Sequence, residues 1–249
     1  MVDSRPSVAL VTGGAVRVGR AVVESLAERG YAVAIHANTS IAEARELAER
    51  LARDGVATLV VQAELRDEAA TRAMIDQVDA HFGRLDVLVN CAAIYAPLPL
   101  EEVTADEVRK YLEVNTLGTF VCCQHAGLKM AAQESGGVIV NIGDWAIARP
   151  YADYAAYFPS KGAIPALTRM FAVELSQRNP RVRVNAILPG PVIFPPDMPE
   201  AERRAVIAAT LVKRAGTPQN VAQAVLFFVE NDFVTGVCLP VDGGRTLGR

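Results

Sequence analysis

The feature that most limits how this chain of 249 residues can fold is a regular alternation of short apolar runs with longer amphipathic segments. Apolar runs of about four to eight residues indicate buried strands, and apolar residues at helical spacing indicate helices. Strands that alternate with helices pair in parallel, because each crossover helix returns the chain to the same edge of the sheet. The sequence therefore predicts an α/β protein with a single Rossmann-type, doubly wound parallel sheet of about seven strands flanked by helices.

The predicted strands and helices follow one another without a linker, an internal repeat or a low-complexity segment, so residues 1–249 are interpreted as one domain. The strands are expected at Val8–Thr12, Tyr31–His36, Ala57–Gln62, Leu85–Asn90, Gly137–Ile142, Arg181–Leu188 and Gly236–Val241. The helices are expected at Arg20–Arg29, Ile41–Asp54, Asp67–Phe82, Thr104–Ala131, Ala155 or Ala156 to about Gln177, Ala201–Leu211 and Asn220–Glu230. Pro165 lies inside the fifth helix and cannot donate to the carbonyl of Lys161, which predicts a kink there.

Composition excludes several classes of function. The chain is 51% hydrophobic and 21% charged, and its net charge is −3 with a pI of about 5.7. Because there is no basic excess, neither nucleic acid nor an anionic membrane surface is an expected partner. No apolar run approaches the ~18 residues that a membrane-spanning helix needs.

The cysteines indicate a reducing compartment. Cys91, Cys122, Cys123 and Cys238 lack the spacing of a disulfide framework or a metal site. The first predicted strand begins within a few residues of Met1, which leaves no room for a signal peptide. We therefore expect reduced thiols, no metal and a cytoplasmic location.

A glycine-rich turn follows the first strand, with the sequence Thr12-Gly13-Gly14-Ala15-Val16-Arg17-Val18-Gly19. Glycines let the backbone approach an anion, and the free N–H groups and the dipole of the next helix favour negative charge. Gly13, Arg17, Val18 and Gly19 are therefore predicted to hold the phosphates of a nucleotide. The alternative is an ordinary tight turn that binds nothing.

The end of the second strand bears on which nicotinamide nucleotide fits. An acidic residue there would pair with the ribose hydroxyls of NAD, but none is present between His36 and Ser40. A 2′-phosphate would not be repelled, and His36, Asn38 and Ser40 can hydrogen-bond to it. With Arg17 as a source of positive charge, the pattern favours NADPH over NADH. Alternatively, Arg17 is a surface arginine on a loop.

Tyr157 and Lys161 stand four residues apart, so both side chains project from one face of a helix. A nearby ammonium favours the phenolate, which is expected to lower the pKa of Tyr157 from its ordinary value of ~10. Such a tyrosine can give a proton to an atom next to one that receives a hydride, which is general acid catalysis. The spacing by itself fits a solvated tyrosine over a lysine equally well.

Two further candidates are an aromatic residue and an amide. Small residues follow Asn90 and leave room for a flat ring at the sheet edge, and Tyr95 could stack on an aromatic ligand. Asn115 falls mid-helix among apolar residues, and it could relay a hydrogen bond from water near Lys161. The alternatives are a loop aromatic packed on its own domain and a satisfied core asparagine.

Together these segments resemble the short-chain dehydrogenase/reductase family over essentially the whole chain. The resemblance is carried by the glycine turn, Asn90-Cys91-Ala92-Ala93, Asn115, Tyr157-Phe158-Pro159-Ser160-Lys161, Pro189-Gly190 and Val241-Asp242-Gly243-Gly244. It implies a nicotinamide-dependent oxidoreductase in which Tyr157 donates the proton, Lys161 holds the nicotinamide ribose and Asn115 supports the proton relay. It also implies cofactor contacts at Glu64, Leu65, Asn90, Ala92, Pro189 and Gly190.

Two departures from the general family pattern resemble its pteridine reductases. Most members have a serine where this chain has Asp144, and a glycine where it has Arg17. Tyr95 falls where the pteridine reductases place an aromatic that sandwiches the pterin against nicotinamide. Reduction of a C=N bond needs a proton on nitrogen, and a carboxyl group suits that task better than a serine hydroxyl. The resemblance thus implies Arg17, Tyr95, Asp144 and Tyr157 as substrate contacts.

The sequence accordingly predicts an NADPH-dependent reductase of a pterin-like C=N or C=O bond. Two alternatives stay open, namely a reductase of ketones or 3-oxoacyl thioesters, and a non-enzymatic member that binds nucleotide. The resemblance also implies a homotetramer with an interface on the two long helices. The apolar patches at Thr116–Val121 and Ala166–Val173 fit that interface and fit an intramolecular core equally well.

Overall fold

The structure is a computed structural model that describes residues 6–248. Its strands are β1 (Val8–Thr12), β2 (Ala32–Ala37), β3 (Thr58–Gln62), β4 (Val87–Asn90), β5 (Gly137–Ile142), β6 (Val182–Pro189) and β7 (Cys238–Val241). Its α-helices are α1 (Arg17–Glu28), α2 (Ile41–Arg53), α3 (Glu68–Phe82), α4 (Ala105–Tyr111), α5 (Gly118–Ala132), α6 (Tyr157–Gly162), α7 (Ile164–Ser176), α8 (Glu200–Ala208) and α9 (Pro218–Glu230). Each predicted strand is present with ends within about two residues of the prediction.

The strands of the described chain form one seven-stranded sheet in the order β3-β2-β1-β4-β5-β6-β7, and every pair is parallel. The order reverses between β1 and β4, which is where an open α/β sheet places its ligand crevice. Thr12 pairs with Asn90, and Asn90 with Asn141, so three strand ends lie side by side at this crevice. The predicted doubly wound Rossmann-type fold is confirmed.

Helices cover both faces of the sheet. One apolar cluster joins β1, β2 and β5 to α1, α2 and α9, and it contains Leu26, Leu47 and Phe228. A second cluster joins the opposite face to α3, α5 and α7, and it contains Ile75, Met130 and Leu175. Because both faces are buried, the strands are near-continuous apolar runs and not alternating ones.

Two helices differ from the expected continuous segments. The helix expected at Thr104–Ala131 is α4 and α5 joined by a π-helical segment at Leu112–Leu117, which contains Asn115. A π-helical segment inserts extra residues into a helix and often lies at a functional site. The helix expected to kink at Pro165 is divided at Ala163 into α6 and α7, with Pro165 in the first turn of α7. The predicted interruption at Pro165 is confirmed. It takes the form of a new helix start, where proline is tolerated because its missing N–H would have no partner there.

Other whole-chain features are simple. Among the described residues, no helix combines the length and apolar character needed to cross a membrane. Within the same part of the chain, no three His, Cys, Asp or Glu side chains are grouped as a metal site would require. All four cysteines are free thiols, and burial raises the pKa of Cys122 to about 12.

Candidate active site

The candidate catalytic residues meet where β5 ends and α6 begins. Asp144 follows β5, and its carboxylate caps a short 3-10 helix, Trp145–Ala148, by accepting from the Ala146 N–H at 2.8 Å. Its second oxygen accepts from the Tyr157 hydroxyl at 2.8 Å. Tyr157 is the first residue of α6 and is buried. The tertiary structure therefore joins the predicted proton donor directly to the carboxylate that stands in place of the usual serine.

The protonation state of Tyr157 differs from the expectation. Burial raises the pKa of its phenol well above 10, and the Asp144 carboxylate raises it further. Burial likewise raises the pKa of Asp144, although the Ala146 N–H, the Tyr157 hydroxyl and the charge of Lys161 oppose that rise. The expected lowering of the Tyr157 pKa by Lys161 is wrong for this structure, because desolvation and a nearby carboxylate both favour the neutral phenol.

Lys161 lies one turn further along α6. Its ammonium is buried and donates to the carbonyl of Ile142, the last residue of β5, at 2.8 Å. Burial lowers its pKa, while Asp144 and Cys91 act in the opposite direction. An ammonium has three N–H donors, so further acceptors can be bound at this position.

Asn115 is buried in the π-helical segment and holds two neighbouring segments together. Its Oδ1 accepts from the Ile94 N–H at 2.9 Å, and its Nδ2 donates to the Ile94 carbonyl at 3.1 Å and to Ser160 Oγ at 3.0 Å. Its side chain thus braces the loop after β4 against α6. A relay through water near Lys161 stays a prediction.

The glycine turn has the shape that a phosphate needs. Gly13 adopts φ +63°, and a side chain there would meet the backbone of Ala92, 2.9 Å away. A Cβ on Gly19 would collide with the Gly13 carbonyl. Val16 precedes α1 without a side-chain cap, and no acidic residue lies in the first turn. The first N–H groups of α1 are therefore available to an anion.

The loop after β4 is tied to this turn. Thr12 Oγ1 accepts from the N–H groups of Cys91 and Ala92 at 3.0 and 3.1 Å. Asn90 is buried and donates to Asn141 Oδ1 at 2.9 Å, whereas its own Oδ1 has no partner among the described residues. The predicted cofactor residues at these two strand ends thus lie side by side.

His36 is not placed as expected. It is buried, its Nδ1 accepts from the Gly13 N–H at 3.2 Å, and its Nε2 donates to the Ala63 carbonyl at 3.1 Å. Burial lowers its pKa, and these partners require the neutral tautomer with hydrogen on Nε2. The prediction that His36 hydrogen-bonds a 2′-phosphate is wrong, because both ring nitrogens already bind the backbone that shapes the glycine turn.

The rest of the predicted nucleotide site is at the ends of β2, β3 and β6. Asn38 is exposed and donates to Glu64 at 2.9 Å, and Arg66 contacts the same carboxylate at 3.3 Å. Partial burial tends to raise the pKa of Glu64, but hydrogen bonds from Arg66 and Asn38 keep it below its ordinary value. Of the remaining candidates, Arg17 is exposed and Leu65 is buried. The others are half-buried, namely Val18, Ser40, Pro189 and Gly190.

Tyr95, which was predicted as a substrate contact, belongs to an aromatic cluster that packs on Tyr157 and whose other members, Tyr151 and Tyr154, were not predicted as site residues. Tyr95 stacks on Tyr154 with ring centroids 4.6 Å apart, and it meets Tyr157 edge-on at 4.9 Å. Its hydroxyl lies 3.2 Å from that of Tyr151. Tyrosines at 151, 154 and 157 share helical spacing in the sequence, which was the available signal.

Comparison with known proteins shows which family the chain belongs to. The family model described as "Enoyl-(Acyl carrier protein) reductase" matches residues 14–246. A double mutant of a Serratia marcescens short-chain dehydrogenase/reductase superimposes with a TM-score of 0.88 at 32% identity, covering 97% of this chain and 98% of that one. The chain belongs to the short-chain dehydrogenase/reductase family. It is therefore related to oxidoreductases that use a nicotinamide cofactor.

Relatives within the short-chain dehydrogenase/reductase family are diverse. Cis-4-hydroxycyclohexanecarboxylate dehydrogenase of Sinomonas cyclohexanicum is 36% identical, with 96% of each chain covered. Pteridine reductase 1 of Leishmania tarentolae is 33% identical, with 97% of each chain covered. A blue fluorescent protein from a metagenomic library, solved in complex with NADPH, has a TM-score of 0.88 at 32% identity, covering 97% and 98% of the two chains.

Proposed function

We propose that this chain is an NADPH-dependent reductase that delivers hydride to a C=N or C=O bond of a flat, pterin-like heterocycle. The observation that carries the proposal is the 2.8 Å hydrogen bond from Tyr157 to Asp144. It couples a phenol to a carboxyl group at the position where most members of the family have serine. The similarity to a pteridine reductase over nearly the whole chain supports the same assignment.

The proposed chemistry uses two proton donors in succession. When bound, the nicotinamide supplies the hydride. Burial keeps Tyr157 neutral, so it carries the proton that the substrate nitrogen or oxygen needs. In this step the Tyr157 O–H turns from Asp144 Oδ2 to the substrate atom and transfers its proton there. Asp144, whose pKa is raised by burial, then donates a proton from Oδ2 to the phenolate oxygen, so that the direction of their hydrogen bond is reversed. It also positions the substrate.

The cofactor fits the residues present. The crowded Gly13 and Gly19 leave a cradle that no side chain fills, and the uncapped start of α1 faces it. In this proposal Arg17 and Val18 join those glycines at the phosphates, and Asn90, Ala92, Pro189 and Gly190 line the nicotinamide half. Lys161 donates to the ribose hydroxyls through the N–H groups that Ile142 does not use, and Asn115 keeps α6 in place.

The proposed preference for NADPH rests on the residues near the end of β2 that could contact a 2′-phosphate. Asn38 and Ser40 are available there, and Arg17 lies exposed at the start of α1. Glu64 is the one acidic group beside Asn38 in the described structure, and its pairing with Arg66 offsets its charge. Glu64 and Leu65 then line the adenine side.

The substrate is proposed to lie against Tyr95, between the aromatic cluster and the nicotinamide, with Arg17 and Asp144 at its polar edge. We also propose a cytoplasmic homotetramer. The four free thiols fit a reducing compartment, and exposed apolar side chains on α5 and α7 fit a subunit interface.

A carbonyl reductase or alcohol dehydrogenase is the second candidate. It is favoured by the identity with a hydroxycyclohexanecarboxylate dehydrogenase, which is slightly higher than that with the pteridine reductase. In that case Asp144 substitutes for serine as the hydrogen-bonding partner of a carbonyl oxygen. Tyr157 and Lys161 keep the same roles.

Initial rates of NADPH oxidation test the proposal. A 7,8-dihydropterin and an activated ketone are compared at the same concentration, with NADH as the cofactor control. Faster turnover of the dihydropterin is the expected result. Turnover of the ketone alone would establish the second candidate, and cofactor binding with no turnover of either would indicate a non-enzymatic member.

A further inference from the structure

The last described residues form a rigid turn next to the proposed active site. Asp242 follows β7, and its carboxylate accepts from the N–H groups of Gly244 and Thr246 at 2.9 and 2.7 Å and from the Thr246 hydroxyl at 2.6 Å. Gly243 and Gly244 take φ values of +60° and +76°, which other residues rarely adopt. These contacts fix the backbone on both sides of Arg245.

The Arg245 side chain is held against a ring but lacks an acceptor. Its guanidinium carbon lies 4.8 Å from the centre of the Trp145 ring, which is a cation–π contact. Its Nε is buried and has no hydrogen-bond partner among the described residues. The terminal N–H groups of the guanidinium likewise have no hydrogen-bond partner among the described residues, and an unpaired charged donor is costly, so these groups are suited to receive an acceptor from a ligand.

No carboxylate of the described chain neutralises this arginine. Asp242 is the nearest acid in sequence, and both of its oxygens are occupied by the turn itself. None of the ion pairs within residues 6–248 includes Arg245. The planar guanidinium therefore presents a charge whose fork matches a carboxylate or a phosphate.

The position of Trp145 connects this charge to the chemistry. Trp145 directly follows Asp144, is buried, and belongs to the same apolar cluster as Tyr157, Tyr111 and Phe158. Arg149, at the end of the same short helix, donates to the Gly248 carbonyl and ties the final residues to it. Trp145 therefore contacts the Arg245 guanidinium and also belongs to the cluster that contains Tyr157, so it connects the two.

We propose that Arg245, seated on Trp145, is an anion subsite that anchors a carboxylate or phosphate on the distal end of the substrate. This inference deepens the proposed function and rests on it. It assigns the substrate class more narrowly, as a flat reducible ring that carries an acidic substituent. A neutral ring would occupy the reacting end of the site and leave the guanidinium unpaired.

Trp145 is the sole tryptophan of the chain, so its fluorescence reports on this subsite without any turnover. Benzoate, phenyl phosphate and neutral benzamide would be titrated into the full-length protein with saturating NADP⁺. A saturable change with an anion and none with benzamide is expected. Preference for benzoate over phenyl phosphate would identify the carboxylate as the better ligand, and the reverse order the phosphate.

Arg245→Met should weaken the better anion by at least about tenfold, and Arg245→Lys should weaken it less, because the charge remains while the fork is lost. Arg204→Met is the matched control, since Arg204 is an exposed arginine on α8 and its removal changes the net charge equally. Thermal melting curves would verify that each variant folds. If Arg245→Met is unstable, Arg245→Lys still tests the subsite.

Equal responses to benzoate and benzamide, or unchanged anion binding in Arg245→Met, would overturn the subsite. Because the readout is binding, a failure of the proposed reductase activity is recognised separately, by the absence of turnover on the dihydropterin. If the activity holds, Arg245→Met should raise KM for an acidic substrate and leave KM for its neutral amide unchanged.

Discussion

At the scale of single residues, the hydrogen bond between Tyr157 and Asp144 is the contact on which the proposed chemistry depends. Burial raises the pKa of both groups, so each is biased toward its protonated form. A serine at residue 144 would accept the same hydrogen bond but could not supply a proton near neutral pH. In the proposed mechanism the pair therefore supplies protons beside the atom that accepts hydride.

Tyr157→Phe removes the proposed proton donor while keeping the ring. We expect kcat for the preferred substrate to fall at least ~100-fold, which is the usual size of one general-acid contribution. The NADPH dissociation constant, measured by cofactor fluorescence, should change little. A rate close to that of the unmodified protein would contradict the assignment of Tyr157.

The pH dependence of reduction is expected to report on Asp144. Its protonated form is the competent one and its pKa is raised by burial, so kcat/KM should fall as pH rises from the ordinary carboxyl range through the raised value. In Asp144→Asn the group is neutral at every pH, so the rate should be low and this limb should be absent. The measurement is a pH profile of both proteins.

Unfolding provides a check on Asp144 that does not depend on turnover. A carboxyl whose pKa is higher in the folded state stabilises the fold at low pH, and that contribution is lost as pH rises through the folded value. The stability of Asp144→Asn relative to the unmodified protein should therefore improve with increasing pH across that window. Parallel stability curves for the two proteins would show that Asp144 ionises freely in the fold.

At the scale of secondary-structure elements, His36 links β2 to the glycine turn and to the end of β3. Its ring fixes the Gly13 N–H through a hydrogen bond that only a neutral imidazole with hydrogen on Nε2 can accept. The π-helical segment acts in a comparable way, since it lets Asn115 brace the loop after β4 against α6. Both residues hold in place the backbone that borders the crevice at the strand ends.

His36→Leu should raise KM for NADPH about tenfold or more, because it leaves the Gly13 N–H without its acceptor, while kcat at saturating cofactor stays similar. His36→Asn should recover much of the affinity, since Oδ1 of asparagine can replace Nδ1 as the acceptor. The measurement is steady-state kinetics with NADPH as the varied substrate.

His125→Leu is the matched control for this experiment, because His125 bonds to Asp76 on α3, away from the turn. If His36→Leu and His125→Leu had the same effect on KM, the role of His36 would be reduced to general stability. A fall in kcat with unchanged KM would contradict the positioning role altogether.

At the scale of the whole molecule, α5, α7 and the π-helical segment before α5 leave apolar side chains outside the core. Leu117, the last residue of the π-helical segment, is 55% exposed and Val173 on α7 is 58% exposed. Leu128 on α5 and Met170 on α7 are also open to solvent. Exposed apolar side chains on a folded protein mark an interface where they form one patch. The proposed tetramer would bury these side chains.

Val173→Glu should dissociate the proposed tetramer, because an unpaired carboxylate would be buried at the interface. Sedimentation velocity of the unmodified protein and the variant measures this directly. Leu100→Glu is the control, since Leu100 is 68% exposed but lies in the loop before α4. A sedimentation coefficient that is the same in all three proteins would place the interface elsewhere or show that none exists.

Local sequence was sufficient to predict the parallel sheet, the glycine turn and the helical placement of Tyr157 and Lys161. Hydrophobic period, glycine and proline act over a few residues, so their consequences are visible in the chain itself. The break at Pro165 belongs to the same class, because a missing N–H has a local effect.

Contacts between distant residues decided the rest. His36 lies 27 residues from its partner Ala63, and Arg245 stacks on Trp145, from which several strands and helices separate it along the chain. The direction of the Tyr157 pKa depends on desolvation, which no spacing reveals. Hydrophobic periodicity locates helices and strands in the sequence. The burial of side chains and the contacts between distant residues arise only when the folded sheet brings the carboxyl ends of its strands together.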